Sequence, residues 1–172
     1  QISLATTTLF WGIGGNMRVI VFPWAAVALG YNVTQASTLG AVVAIGTAVG
    51  AVVAAMVTRL DKATSTIPMG IAMGVLIAGL NFVTELWVAV PFLILLGMVS
   101  GYMVVPMNAL LQHRGHNLMG AGRSIAVQNF NEQACILGLS ALYAAMTKFG
   151  VTAFGVITAL GLGVALIMWF IR

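Results

Sequence analysis

From Gln35 to Thr58 the chain runs without a single charged residue, and this stretch constrains the fold more than any other. A run of that length and character is read as a membrane span, which needs about 20 apolar residues. In hydrocarbon the backbone must satisfy its own hydrogen bonds, so only helices and closed barrels cross. A barrel would need short strands alternating polar and apolar residues, and the runs here are long and continuously apolar. The sequence predicts six such segments, near residues 2–29, 35–58, 67–84, 88–111, 121–146 and 151–171.

Composition agrees. Of 172 residues, 61% are hydrophobic and 6% are charged, against about a quarter charged in a soluble domain. Too little polar surface exists to face water, so the fold class is all-α and polytopic, with six transmembrane helices. Short polar joints such as "GYNVTQ", "TRLDKATST", "TEL", "QHRGHNLMG" and "TKFG" leave no room for a soluble domain between them. Opening on Gln in mid-helix style, the chain reads as a piece of something longer.

Charge placement sets the orientation. Arg59, Lys62, Arg114, Arg123 and Arg172 fall at one set of segment ends, and Lys148 at the other. Basic residues in short loops mark the cytoplasmic side, so both ends of the chain are expected there. The basic residues are scattered rather than gathered into a stripe, which excludes nucleic acid as a partner. A lone Cys135 excludes an intrachain disulfide and an all-cysteine metal site. His113 and His116 lack further ligating neighbours, so no metal or cofactor is expected. The sequence contains no phosphate-binding P-loop and no Ser-His-Asp set, and no enzyme is expected.

Two places put polarity at membrane depth, where ionisable residues are functional candidates by default. The first is "WGIGGNMRVIVFPW". Arg18 stands midway along the first segment, with Asn16 before it and Pro23, a helix-kinking residue, after it. Arginine keeps its proton, so it needs water, an acidic partner or an anionic ligand. The second is "SIAVQNFNEQAC", where Gln128, Asn129, Asn131 and Glu132 crowd one segment. At 100° per residue, Ser124, Gln128, Glu132 and Cys135 share a face. Glu132 is the acidic residue at a depth comparable to Arg18, and the two are expected to pair, directly or through substrate or water. Asn108 follows Pro106 in the fourth segment and completes the candidate binding set. Small residues of the second segment, including Gly40 and the Gly46/Gly50 pair, are expected to serve close helix packing. Asn81 and Glu85 are expected at the outer interface.

Six helices with both ends on one side are similar to one half of a major facilitator transporter. The stretch "VVPMNALLQHRGHNLMGAGRSIAVQNFNEQ", residues 104–133, resembles the lysophospholipid transporter family of Gram-negative inner membranes. "LFWGIGGNMRVIVFPWAAVALG" and "AVVAIGTAVGA" are similar to that family's seventh and eighth helices, and "TRLDKATST" looks like a degenerate cytoplasmic gating loop. The resemblance implies that residues 1–172 are the C-terminal transmembrane half. It further implies a flippase moving lysophosphatidylethanolamine and lysophosphatidylglycerol from the outer to the inner leaflet, by alternating access. Implied partners are membrane lipids, the N-terminal six-helix half and a cytoplasmic-side lysophospholipid acyltransferase. Arg18 matches the family's arginine of helix seven, and Glu132 its glutamate of helix eleven; "NFNEQ" and Arg123 differ from the family pattern. Two other readings use the same residues: a major facilitator carrier for a drug or small amphipathic anion, and a non-transporting membrane scaffold.

Overall fold

A computed structural model describes residues 1–171, with the side chain of Arg18 outside the described set. The described residues are helical and contain no strand. Seven α-helices follow in order: α1 (Ile2–Gly15), α2 (Met17–Leu29), α3 (Val33–Val57), α4 (Ile67–Gly79), α5 (Leu86–Met119), α6 (Ala121–Lys148) and α7 (Ala153–Ile171). Short 3-10 turns lead into α4 (Leu60–Thr66) and extend it (Leu80–Phe82).

Four stretches are long and apolar enough to cross a membrane: Val33–Val57, Leu60–Phe82, Leu86–Met119 and Ala153–Ile171. A fifth span arises if α1 and α2, bent by 47°, are taken together. The helix Ala121–Lys148 has the length but not the apolarity, because its amide cluster dilutes the hydrophobic run. The six expected segments therefore appear as four apolar spans, a bent helix pair that can make a fifth, and one polar helix.

Three expectations are corrected. The first segment is not one helix kinked at Pro23. It breaks at Asn16, whose φ of −95° and ψ of 7° leave helical geometry, while α2 runs on through Pro23. Gly14 and Gly15 weaken the helix just before the break, and a proline inside a transmembrane helix is tolerated when neighbours absorb the freed carbonyl. "QHRGHNLMG" is not a loop, since α5 continues to Met119, making 34 residues in all. At 1.5 Å per residue, α5 is longer than a hydrocarbon core of about 30 Å. It turns directly into α6 through Gly120 alone, whose φ of 80° favours glycine. Part of "TRLDKATST" is likewise wound into the 3-10 turn ahead of α4.

Glycine decides how the helices meet. Gly46 and Gly50 of α3 lie against the backbones of Ile94 and Met98 of α5. Reciprocally, Gly97 and Gly101 of α5 lie against the backbones of Val43 and Thr47. A methyl group at any of the four would strike a main-chain oxygen. Gly74 of α4 and Gly161 of α7 repeat the arrangement: a methyl on Gly74 would sit 2.6 Å from the Gly161 carbonyl oxygen. Apolar attraction between helices is weak in lipid, so dispersion across such close backbones is what holds them. The expected packing role is met at Gly46 and Gly50, with α5 supplying a matching pair, but not at Gly40, where an added methyl would meet nothing within 4 Å. The core fills around Ile13, Ile20, Trp24, Ile77, Leu93 and Leu96. The indole Nε1 of buried Trp24 donates to the Leu80 carbonyl at 2.8 Å, pinning α2 to the end of α4.

Candidate functional site

The polar residues of α6 follow a period of about four. Ser124 and Gln128 are buried, Glu132 and Ile136 are half-buried, and Ser140 continues the row. This is the row that turns inward toward α1 and α5, as the spacing predicts. The opposite side of α6, including Phe130 and Leu137, is exposed, while Cys135, Leu139 and Tyr143 flank the row and pack against the core.

At the first crossing, Gln128 joins α6 to α5. Its amide Nε2 donates to Asn108 Oδ1 at 2.8 Å and to Glu132 Oε1 at 2.8 Å. Both donors of one amide are thus used, one across helices and one along α6. Three of the sequence-predicted residues, Asn108, Gln128 and Glu132, come together in this cluster. Asn108 reaches it because α5 stays helical through Pro106, which is buried.

At the second crossing, Asn16 joins the α1–α2 break to α6. Asn16 is buried; its Nδ2 donates to the Gly12 carbonyl at 2.8 Å and to the Ile136 carbonyl at 3.0 Å. The Ser140 hydroxyl donates to Asn16 Oδ1 at 2.6 Å. Asn16 therefore caps a carbonyl freed by the break and clips the break to α6. Ser140 was not singled out in the sequence, although its place on the four-residue row is the signal that finds it.

The remaining candidates are placed apart. Asn129 is exposed, and the half-buried Asn131 donates from Nδ2 to the Val127 carbonyl of its own helix at 2.8 Å. The backbone of Arg18 lies in the first turn of α2. Its side chain, and with it the expected pairing with Glu132, lies outside the described residues. Among the described residues the ion pair is Arg59 with Asp61, at 3.3 Å and well exposed. Asn81, expected at the interface, is half-buried and donates to the Phe154 carbonyl at 3.2 Å and to Thr158 Oγ1, joining α4 to α7. Glu85 is exposed, as expected for a helix end.

Beside the Asn16 clip lies a cavity of about 460 Å³, within the range of roughly 300–1,000 Å³ typical of small-molecule sites. It is walled by α1, α3, α4 and α5, with Ile136 of α6 closing one side. A neighbouring recess of about 400 Å³ lies along α2 and α3 and shares Gly14, Met17, Gly40 and Ala44 with the first. At one end of the bundle a third, open recess gathers Arg59, Asp61, His113 and Arg114, which places two of the expected cytoplasmic loops side by side.

Comparison with known proteins bears on this arrangement. No family model matches the chain, and no solved structure matches it. Among characterised relatives, the lysophospholipid transporter LplT of Salmonella arizonae is 42% identical over 165 residues, covering 95% of this chain and 41% of the relative. LplT of Salmonella paratyphi B is 42% identical over 154 residues, covering 89% of this chain and 38% of the relative. The chain thus spans about two fifths of the length of the relatives it matches. By its apolar helices it is a multi-pass membrane protein, and over nearly its whole length it is similar to part of these lysophospholipid transporters.

Proposed function

We propose that this chain is the C-terminal transmembrane half of a lysophospholipid flippase. The observation that carries the proposal is the Asn108–Gln128–Glu132 cluster. It is a carboxylate accepting from the Gln128 amide, which in turn is tied to Asn108, on a helix packed against an apolar bundle. Polar groups at that depth face a cavity or a ligand rather than lipid. The homology to transporters of lysophospholipids supports the same reading.

A lysophospholipid brings an anionic phosphate, and often an ammonium, on a single acyl chain. Arg18, one turn into the broken helix, binds the phosphate as a bidentate donor. Glu132 meets the ammonium or neutralises Arg18 between cycles. Gln128 and Asn108 supply the amide groups beside Glu132, and Asn16 holds the break in place. The polar α6 is the sixth span, sheltered from lipid by the N-terminal six-helix half that rocks against this one. Differential affinity of the lipid for the two orientations then drives the exchange of access. Transport runs from the outer to the inner leaflet of the bacterial inner membrane, with the ends of this segment cytoplasmic. An acyltransferase on that side consumes the product.

Uptake of labelled lysophosphatidylethanolamine by spheroplasts tests the proposal. Expression of the full transporter is expected to restore uptake to cells lacking it, and Arg18→Ala and Glu132→Gln are each expected to abolish it while the protein still inserts. Normal uptake by both variants at normal expression overturns the site. Export of a drug without lysolipid movement points instead to a carrier of amphipathic anions.

A further inference from the structure

We infer that the cavity at the α1–α2 break is the seat of a single alkyl chain, kept open by Gly14 and Gly40; the inference rests on the lysolipid reading and locates the tail of that same substrate. Gly14 and Gly40 differ from the glycines that seat the helices, and among the helical glycines with free space, such as Gly122, Gly138 and Gly163, they are the two that border this cavity. Gly46, Gly50, Gly97 and Gly101 are glycine because a methyl group would strike a neighbouring backbone. At Gly14 and Gly40 an added methyl would meet nothing within 4 Å. Their missing side chains serve no helix contact, and both border the cavity and the neighbouring recess along α2 and α3. Glycine in a helix interior costs stability relative to alanine, so two that gain no contact leave space at an expense.

The walls specify what fills that space. Ile13, Met73, Ile77 and Leu96 are buried apolar residues facing it, with Phe10 and Trp11 at one rim. The hydroxyls among the lining residues are already satisfied: Thr47 donates to the Val43 carbonyl at 2.9 Å, and Ser100 to the Leu96 carbonyl at 2.7 Å. A water in a cavity needs two to four polar partners, and this wall offers few. The occupant is therefore apolar. The two recesses lie on either side of shared lining residues along α2 and α3, an arrangement that suits a chain better than a ring system. Position supplies the link to a headgroup. Ile136 lines the cavity one helical turn beyond Glu132, and Met17 lines it immediately before Arg18. An alkyl chain lying here starts beside the proposed headgroup residues.

An alkyl chain could come from a single-chain lysolipid or from an ordinary two-chain phospholipid, and the test separates them. Gly40→Cys is introduced into the full transporter lacking its other accessible thiols, reconstituted in nanodiscs and reacted with a small maleimide. Palmitoyl lysophosphatidylethanolamine is expected to slow labelling about tenfold relative to the nanodisc lipid alone. Glycerophosphoethanolamine, the headgroup without a chain, is expected to leave the rate unchanged. Equal labelling with and without the lysolipid overturns the inference, and so does equal protection by added dipalmitoyl phosphatidylethanolamine. As a second measure, Gly40→Leu is expected to shift the ratio of palmitoyl to octanoyl lysolipid transport toward the short chain by roughly tenfold, the effect of excluding a few methylenes. An unchanged ratio counts against the cavity. Protection of Gly40→Cys by a lysolipid that the wild-type transporter does not move keeps the cavity and removes the flippase reading.

Discussion

Asn16 and Ile136 stand 120 residues apart in sequence, and the amide of one donates to the backbone carbonyl of the other at 3.0 Å. This bond fastens the interruption of the first span to the polar helix α6, and Ser140 strengthens it by donating to the same asparagine at 2.6 Å. Asn16→Leu removes the clip and takes one donor each from the Gly12 and Ile136 carbonyls, the latter still accepting from Ser140 within α6. The variant is expected to lose about 1–3 kcal/mol of stability, read as a lower midpoint of thermal unfolding in detergent. Ser140→Ala removes one bond and is expected to cost about 0.6 kcal/mol, the average for hydrogen bonds between membrane helices.

The cluster on α6 makes a sharper functional prediction. Gln128→Leu takes both donors away from Asn108 and Glu132 together. Losing a bond to a charged group costs about 1.5–3 kcal/mol, so lysolipid transport is expected to fall roughly 10- to 100-fold, at unchanged expression. A variant that transports normally would separate this cluster from the substrate path.

Glycine substitutions are expected to sort by what each glycine touches. Gly97→Leu drives a side chain into the α3 backbone and is expected to cost upwards of about 3 kcal/mol, beyond ordinary overpacking because backbone cannot yield. Gly138 of α6 faces open space, and Gly138→Ala is expected to gain up to about 1 kcal/mol from helix propensity. Unfolding midpoints in the same detergent compare the two directly.

Trp24→Phe tests the anchor between α2 and α4. It removes the donor to the Leu80 carbonyl within a fully buried site. The Leu80 carbonyl keeps the Val83 N–H as a donor, so a loss of about 1–2 kcal/mol is expected from the missing indole hydrogen bond and the smaller ring, again read as an unfolding midpoint.

Much of this was legible in the sequence where physics is local. The apolar runs named the spans, and the four-residue row Ser124–Gln128–Glu132 named the inward face of α6. What was not legible depends on distant partners. Asn16 was visible as an amide in an apolar helix, but its role is set by a carbonyl on α6. Pro23 drew attention as a kink, whereas the chain breaks where two glycines precede a side chain able to cap the freed carbonyl. "QHRGHNLMG" looked like a loop because it is polar, yet Leu, Gln, Arg and Met are good helix formers, and Gly115 packs beneath Ser124 so that α5 can continue beside α6. The cavity had no signature at all, being made by side chains that are not there.

The interlocked glycines of α3 and α5 have a kinematic consequence. Along that seam carbonyl oxygens sit in the notches left by Gly46, Gly50, Gly97 and Gly101, like teeth in a rack. Flexible side chains can repack as helices slide, but main-chain teeth must first disengage. In any rearrangement, α3 and α5 therefore travel as one body. The freedom to shift falls to α6, which the Asn16 and Gln128 bonds tether to the bundle at two points along its length.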